Sequence, residues 1–134
     1  MVRLEIVTPE AKTFSDNVDS VVIPGVEGEL GVLPMHAPMM TLLEPGELRV
    51  MKNGEETRLA VGEGFVEITQ EKIAVLTDMA VKESDIDEAA ADEAIRRAEE
   101  AMRGERMSDA EQATTKAALM RSLALIKVKR RRQV

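Results

Sequence analysis

Groups that carry covalent or metal chemistry are scarce in this chain of 134 residues. It has one histidine and no cysteine, so a nucleophile–base pair would need a serine or threonine beside His36, and no serine lies in a G-x-S-x-G context. The acidic residues Asp85, Asp87 and Glu88 are better explained by a helix dipole than by a metal site. No G-x-x-x-x-G-K-S/T phosphate loop occurs. The residue types therefore predict a protein that binds partners, with no catalytic or metal site.

The most distinctive stretch is residues 25–38, G-V-E-G-E-L-G-V-L-P-M-H-A-P. Its three glycines and two prolines predict a fixed, non-repetitive backbone path and not a long strand. Glu27 and Glu29 flank Gly28 and cannot both be buried unpaired, so we expect a carboxylate that faces solvent or a partner. His36 is interpreted as a hydrogen-bonding residue that fixes the loop. Two roles stay open, a structural turn between strands and a contact loop.

Charge is divided unevenly along the chain. All 25 acidic residues and 11 of the 18 basic ones lie in residues 1–111, whereas residues 112–134 hold no acid. Three roles are open for this basic tail: a solvated chain end, a nucleic-acid contact, or docking on an acidic protein surface. Nucleic acid is the less favoured partner, because no aromatic residues interleave with the bases and the acidic body would be repelled. The bases of the tail are Lys116, Arg121, Lys127, Lys129, Arg130, Arg131 and Arg132.

A change in composition near Glu83 divides the chain into a β part, residues 1–83, and an α part, residues 84–134. All five prolines and seven of the eight glycines precede this point. Short apolar runs separated by turn residues predict an antiparallel β-sandwich or barrel, and Asn53-Gly54 is the strongest hairpin signal. The predicted strands are Val2–Thr8, Val18–Ile23, Met39–Leu43, Glu47–Met51, Glu56–Val61, Phe65–Thr69 and Ile73–Thr77.

The α part predicts two helices that form an antiparallel hairpin. Ser84 is the expected N-cap of the first helix, Gly104 ends it, and Ser108 with Glu111 is a capping box that starts the second. The second helix is apolar nearly all round over residues 117–128, so the hairpin must lie on the sandwich or on a partner. The first helix has an apolar face of Ala91, Ala94, Ile95, Ala98, Ala101 and Met102, and three predicted ion pairs, Asp92–Arg96, Glu93–Arg97 and Glu99–Arg103.

Four segments of the chain resemble those of one family. E-G-E-L-G-V-L-P-x-H-A-P at residues 27–38, G-E-L-R-V at 46–50, V-G-E-G-F-V-E-I at 61–68 and the segment around Ile86-Asp87 follow the order found in epsilon subunits of F-type ATP synthases. The resemblance extends from about residue 4 to about residue 128. It implies an N-terminal antiparallel β-sandwich and a C-terminal helical hairpin. It also implies a non-catalytic subunit of the central rotor stalk, with catalysis on the alpha and beta subunits.

The resemblance carries expectations about partners and location. Such a subunit binds the gamma subunit and the c ring, couples proton flow to ATP synthesis, and in many members restrains ATP hydrolysis. Its hairpin folds down on the sandwich or extends beside gamma toward alpha and beta. The sequence has no apolar run of 18 residues and no basic leader. We therefore expect a bacterial protein, peripheral at the cytoplasmic face of the cell membrane, which meets the membrane only indirectly and binds no nucleic acid.

Site residues also follow from the resemblance. The bases of the tail, from Lys116 to Arg132, are expected to dock on an acidic segment of the beta subunit. Some members bind ATP through I/L-D-x-x-R-A at the start of the first helix; here Ile86 and Asp87 match, but Ala90 stands in place of the Arg. The missing guanidinium makes ATP binding doubtful, and no cofactor is expected. The loop that contacts the c ring and gamma comprises Glu27, Gly28, Glu29, Leu30, Gly31 and His36.

Overall fold

The structure, a computed structural model, describes residues 1–10, 12–104 and 107–131. Within these ranges ten strands precede a short 3₁₀ turn and two helices. The strands are β1 (Val2–Val7), β2 (Lys12–Val18), β3 (Ser20–Gly25), β4 (Gly28–Val32), β5 (Met39–Leu43), β6 (Gly46–Lys52), β7 (Glu55–Val61), β8 (Gly64–Ile68), β9 (Lys72–Thr77) and β10 (Ala80–Lys82). The 3₁₀ turn is Glu83–Asp85, and the helices are α1 (Glu88–Gly104) and α2 (Asp109–Arg131).

The strands form one sheet that folds over its own apolar side. Their order is β10-β7-β6-β3-β5-β8-β9-β1-β2, with β4 paired to β3. Because side chains alternate along each strand, one set from β1 to β9 meets in a single core, in which Leu4, Ile23, Leu48 and Ile73 have no exposed surface. The predicted β-sandwich followed by a helical hairpin is confirmed. One pairing departs from the antiparallel pattern, since β1 and β9 run parallel.

Three strands, β2, β4 and β10, were missed by the sequence prediction. β2 reads K-T-F-S-D-N-V and is largely polar because it lies at the end of the sheet, where only β1 pairs with it. β10 has three residues, which pair with the last three residues of β7. The expectation of a non-repetitive path through residues 25–38 was wrong for β4, which forms a hairpin with β3. The Asn53-Gly54 hairpin is confirmed, with φ angles of 53° and 81° at the turn.

The helix starts differ in how well the sequence predicted them. Ser84 is not the N-cap of α1, because it lies in the 3₁₀ turn. Asp87 caps the helix instead: its Oδ1 accepts a hydrogen bond from the Ala90 N–H at 3.0 Å. The second start is confirmed, since the Glu111 N–H donates to Ser108 Oγ at 3.1 Å and the Ser108 hydroxyl donates to Glu111 Oε1 at 3.1 Å.

The helical hairpin lies against the outer face of β6 and β7 through α2. Ala60 of β7, Ile86 and Val128 form a small buried cluster, with Met79, Val81 and Leu125 packed beside it. Residues 122, 124, 126 and 128 are all buried, which places covered surface on two opposite sides of α2, toward the sheet and toward α1. The predicted apolar face of α1 is only partly covered: Ala91 and Ala98 are buried, but Ala94, Ala101 and Met102 are exposed.

Candidate binding surfaces

The turn between β3 and β4 presents two carboxylates to solvent. Glu27 and Glu29 are exposed on either side of Gly28, whose φ of 121° is strained for any residue with a side chain. Leu30 is half-buried against the core, whereas Gly31 is exposed with open space around it. The predicted contact loop is therefore a hairpin turn with an anchored side chain behind it.

His36 is held within its own segment between β4 and β5. Its Nδ1–H donates to the Ala37 carbonyl at 2.7 Å, and its backbone N–H donates to the Leu33 carbonyl at 3.2 Å. The preceding Met35 adopts a positive φ of 67°. These bonds agree with the interpretation of His36 as a loop-fixing residue. Neither hydrogen bond reaches the β3–β4 turn, so the six predicted loop residues fall into two separate groups.

A charge cluster of Glu29, Arg49, Glu47 and Arg58 starts at this turn and crosses the outer face of the sheet. Arg49 Nη1 lies 3.0 Å from Glu29 Oε2 and 3.2 Å from Glu47 Oε1, and Arg58 Nη1 lies 3.6 Å from Glu47 Oε2. Glu47 is only 4% exposed, and both guanidinium groups compensate for the hydration that its carboxylate loses on burial. Burial lowers the pKa of Arg49, but its hydrogen bonds to Glu47 and Glu29 outweigh that effect and leave the pKa raised.

An apolar patch lies beside the turn and was missed by the sequence prediction. Leu42 of β5 pairs with Phe65 of β8, which pairs in turn with Leu76 of β9, so the three form a row across the sheet. Leu42 is 61% exposed and Phe65 39%. A shallow groove of about 470 Å³ is lined by Leu42 and Phe65 of this row and by the turn residue Glu27. We use "apolar patch" for Val26, Met39, Met40, Leu42 and Phe65.

The sequence does carry a signal for this patch. In M-M-T-L-L of β5 and I-A-V-L of β9, residues on both sides of the strand are apolar, although a sheet with one solvated face needs apolar residues on one side only. A strand that is apolar on both faces indicates a second contact surface. Which of the two faces lies in the core follows only from the order of the strands in the sheet.

Among the described bases of the tail, three contact acidic residues elsewhere in the chain. Arg121 Nη1 lies 3.1 Å from Asp78 Oδ2, and Lys129 Nζ donates to the Glu83 carbonyl at 3.3 Å. Arg130 reaches two residues near the start of α1, with Nε 2.8 Å from Glu88 Oε1 and Nη2 2.9 Å from Asp92 Oδ2. The hydrogen bond to Glu88 and the charge of Asp92 raise the pKa of Arg130. We call Arg121, Lys129 and Arg130 the clasp.

The remaining bases are placed differently. Lys116 and Lys127 are exposed and form no ion pair with any described residue. The side chain of Arg131, and Arg132 altogether, lie outside the described residues. Because Arg130 takes Asp92, the predicted Asp92–Arg96 pair does not form, and Arg96 pairs with Glu93 and Glu100 instead. The predicted Glu93–Arg97 pair is present at 3.1 Å.

The two residues that match the ATP motif have structural roles. Ile86 is buried in the cluster with Ala60 and Val128, and the carboxylate of Asp87 is occupied as the N-cap of α1. Among the described residues, no group of three or more His, Cys, Asp or Glu side chains is arranged to hold a metal ion. None of the helices in the described ranges is long and apolar enough to cross a membrane.

Comparison with known families and proteins gives one consistent result. The family model described as ATP synthase, Delta/Epsilon chain, beta-sandwich domain matches residues 1–83, and the model of the long alpha-helix domain of that chain matches residues 84–130. An ATP synthase epsilon chain of Dehalococcoides mccartyi is 43% identical over 98% of this chain and 94% of its own length. One from Herpetosiphon aurantiacus is 42% identical over 98% of both chains.

Solved structures share the fold at lower identity. A chain in the Euglena gracilis mitochondrial ATP synthase, OSCP/F1/c-ring in rotational state 1, superposes with a TM-score of 0.77 at 23% identity, over 92% of this chain and 78% of that one. A chain in the central stalk/c-ring structure of the Tetrahymena thermophila mitochondrial ATP synthase gives 0.61 at 12% identity, over 96% of each. These comparisons lend no support to a nucleic-acid-associated protein.

Proposed function

Because the chain belongs to the delta/epsilon chain family of ATP synthases, we propose that it is the epsilon subunit of the central stalk in a bacterial F-type enzyme. In this role it performs no catalysis of its own, which belongs to the alpha and beta subunits. It couples proton translocation to ATP synthesis by linking gamma to the c ring. The complex would hold it at the cytoplasmic face of the cell membrane as a peripheral subunit.

The observation that carries this proposal is the apolar patch beside the acidic turn. Leu42 and Met40 are 61% and 63% exposed on a rigid strand, and continuous exposed apolar surface of this kind marks a protein interface. We assign the patch to gamma, whose binding would bury it. The polar turn with Glu27 and Glu29 is assigned to the c ring, because exposed carboxylates suit Arg and amide donors on a polar loop.

The helical hairpin is assigned the restraint of ATP hydrolysis. In the docked arrangement the clasp pairs Arg121, Lys129 and Arg130 with the chain's own acids. In an extended hairpin the same bases would be released, and we propose that they then meet acidic groups of the beta subunit. The two states compete for the same cations, so the docked hairpin is the non-inhibitory one.

A binding experiment with gamma tests the assignment of the patch. Leu42→Gln and Phe65→Gln should each weaken co-purification with gamma, because each removes exposed apolar area from the interface core. Met51→Gln is the matched control, since Met51 is 36% exposed on β6, outside the apolar patch. If both patch variants co-purify with gamma as well as the control does, gamma does not bind this surface.

We also propose that ATP binds weakly or not at all. Ala90 offers a backbone N–H where the motif has a guanidinium, and that N–H is already bonded to Asp87. Glu88 adds negative charge beside it, although Arg130 offsets part of that charge. Titration calorimetry of the full chain with ATP should show no saturable heat at micromolar concentration. A micromolar dissociation constant contradicts the proposal.

A further inference from the structure

The charge cluster connects the exposed turn to the surface beneath α2. In β6, Leu48 and Val50 point into the core, so Glu47 and Arg49 lie on the outer face of the sheet. Glu47 pairs in register with Ala60, and Ala60 is buried against Val128 of α2. Lys127 of α2 lines a cavity of about 200 Å³ together with Glu29 and Glu47. The docked helix therefore covers the inner end of the cluster, while Glu29 forms the outer end.

With α2 docked, the Glu47 carboxylate is almost fully shielded from solvent. Glu47 is 4% exposed, and a buried carboxylate is tolerated only when cations or donors compensate for the lost hydration. The Arg49 guanidinium lies closer to the Glu47 carboxylate than the Arg58 guanidinium does, at 3.2 Å against 3.6 Å. When the helix leaves, water takes over part of this compensation. Loss of Arg49 should thus penalise the docked state more than the undocked one.

Arg49 forms ion pairs with two acids, Glu47 and Glu29. The same Nη1 atom lies 3.0 Å from Glu29, whose side chain is 60% exposed on the turn. One guanidinium nitrogen is therefore shared between an acid that a partner can reach and an acid that the helix buries. Any group that occupies Glu29 changes how much of Arg49 is available to Glu47.

We propose that Arg49 is a positioning residue that couples the state of the β3–β4 turn to the docking of the helical hairpin. A partner that donates hydrogen bonds to Glu29 releases Arg49 to Glu47 and strengthens docking. The identity of that partner as a polar loop of the c ring rests on the proposed function. The coupling itself is a property of the isolated chain and is tested on it.

Amide hydrogen exchange of the full chain measures docking. In Arg49→Gln, amides of α2 near residues 122–128 should exchange at least about tenfold faster, because a buried acid has lost its nearer cation. Amides of β1 and β9 in the same sample report the sandwich and should keep their wild-type rates. Unchanged exchange in α2 overturns the proposal, and so does equal acceleration in all elements, which indicates general destabilisation.

A double variant tests whether Arg49 acts through Glu47. If it does, Glu47→Gln combined with Arg49→Gln should return most of the α2 protection, because an uncharged amide no longer needs the guanidinium. Exchange that stays as fast in the double variant as in Arg49→Gln shows that Arg49 acts by another route and overturns the proposal.

The link to the turn is tested by Glu29→Gln, with Glu27→Gln as the matched control. Glu29→Gln should slow α2 exchange by about two- to threefold, since a partly exposed ion pair that competes for Arg49 is removed. Glu27 lies two residues away and has no ion pair with any described residue, so Glu27→Gln should leave α2 unchanged. Equal effects of the two variants, or faster exchange in Glu29→Gln, contradict the coupling. Both outcomes are independent of whether the turn meets the c ring.

Discussion

The sandwich and the helical hairpin are held together by different interactions. The sandwich closes on a core of Val, Leu and Ile side chains, and among the described residues thirteen of them have less than 2% of their surface exposed. The hairpin rests on the sandwich through the small apolar cluster around Ala60, Ile86 and Val128, and through the ion pairs of the clasp. Burial of large apolar side chains contributes about 1.5–3 kcal/mol each, whereas a surface ion pair contributes about 0–1 kcal/mol.

The sandwich is therefore built to stay folded, and the hairpin is built to separate from it. An interface that depends in part on exposed ion pairs is weakened by salt, because exposed charges are screened within about 10 Å at moderate ionic strength. The core of the sandwich has no such dependence. Undocking of the hairpin should therefore leave the buried core of the sandwich unchanged.

A substitution in the core should change stability far more than one in the interface between hairpin and sandwich. Leu48→Ala should lower the free energy of unfolding of the sandwich by about 2–5 kcal/mol, because Leu48 is fully buried and leaves a cavity. Val128→Ala should loosen the hairpin but leave the unfolding midpoint of the strands nearly unchanged. Urea titration followed by far-ultraviolet circular dichroism, with amide exchange to separate strands from helices, measures both. Equal loss of strand stability in the two variants contradicts the separation of the parts.

The second effect concerns the basic tail in the assembled complex. Joint replacement of Lys127, Lys129, Arg130, Arg131 and Arg132 by Gln should raise ATP hydrolysis, because several cations that contact acidic groups in the extended state are lost together. A single Arg121→Ala change should do much less, and raised salt should partly reproduce the joint change. ATPase activity of purified complexes, checked for full subunit content, is the measurement. If the joint variant is no faster at any salt concentration, the tail is not an inhibitory element.

A third and smaller effect concerns the turn. Glu29→Lys and Glu27→Lys should each weaken ATP-driven proton pumping while leaving the circular dichroism spectrum of the chain unchanged. Glu29→Lys should be the stronger, because it also places a cation against Arg49 in place of an ion pair at 3.0 Å. Wild-type pumping by both variants would exclude the turn as a coupling contact.

The smallest effect is a pH dependence confined to α1. The hydrogen bond and charge of Arg96, followed by the charge of Arg97, hold the pKa of Glu93 below its ordinary value of 4.5. A lowered carboxyl pKa stabilises the fold above the unfolded value, and this contribution is lost as the pH falls through the lower, folded value. Helicity of the wild type should therefore decrease on acidification below about pH 4.5, and less so in Glu93→Gln. Glu99→Gln is the control, since Glu99 forms no ion pair with any described residue.

The sequence predicted those elements whose local signals agree with their environment. Asn53-Gly54 forms the predicted turn, and Ser108 with Glu111 caps α2 as expected. Both the turn and the cap depend on interactions within four residues of the chain. Ser84 failed as a cap because the 3₁₀ turn holds it, and Asp87 took its place. β2 failed because an edge strand needs little apolar surface, so its composition resembles that of a loop.

The candidate surfaces were predictable only in part, for a physical reason. The exposed carboxylates of Glu27 and Glu29 follow from local chemistry, but the pairing of Glu29 with Arg49 joins residues that are 20 positions apart. The clasp joins Arg130 to Glu88, 42 positions away. Such contacts depend on how strands and helices are placed, which periodicity does not encode. The apolar patch likewise appears only when β5, β8 and β9 are set side by side.

The parallel pairing of β1 with β9 also determines when the sandwich can fold. Residues 3–7 pair with residues 72–76. The first strand made by the ribosome therefore cannot form this pairing until nearly the whole sandwich has been synthesised. Until then β1 and β2 form only a local hairpin, which is marginal by itself in water. Contacts this distant along the chain slow folding, because a long loop must close before they form. We therefore expect the nascent sandwich to close late, after β9 has left the ribosome.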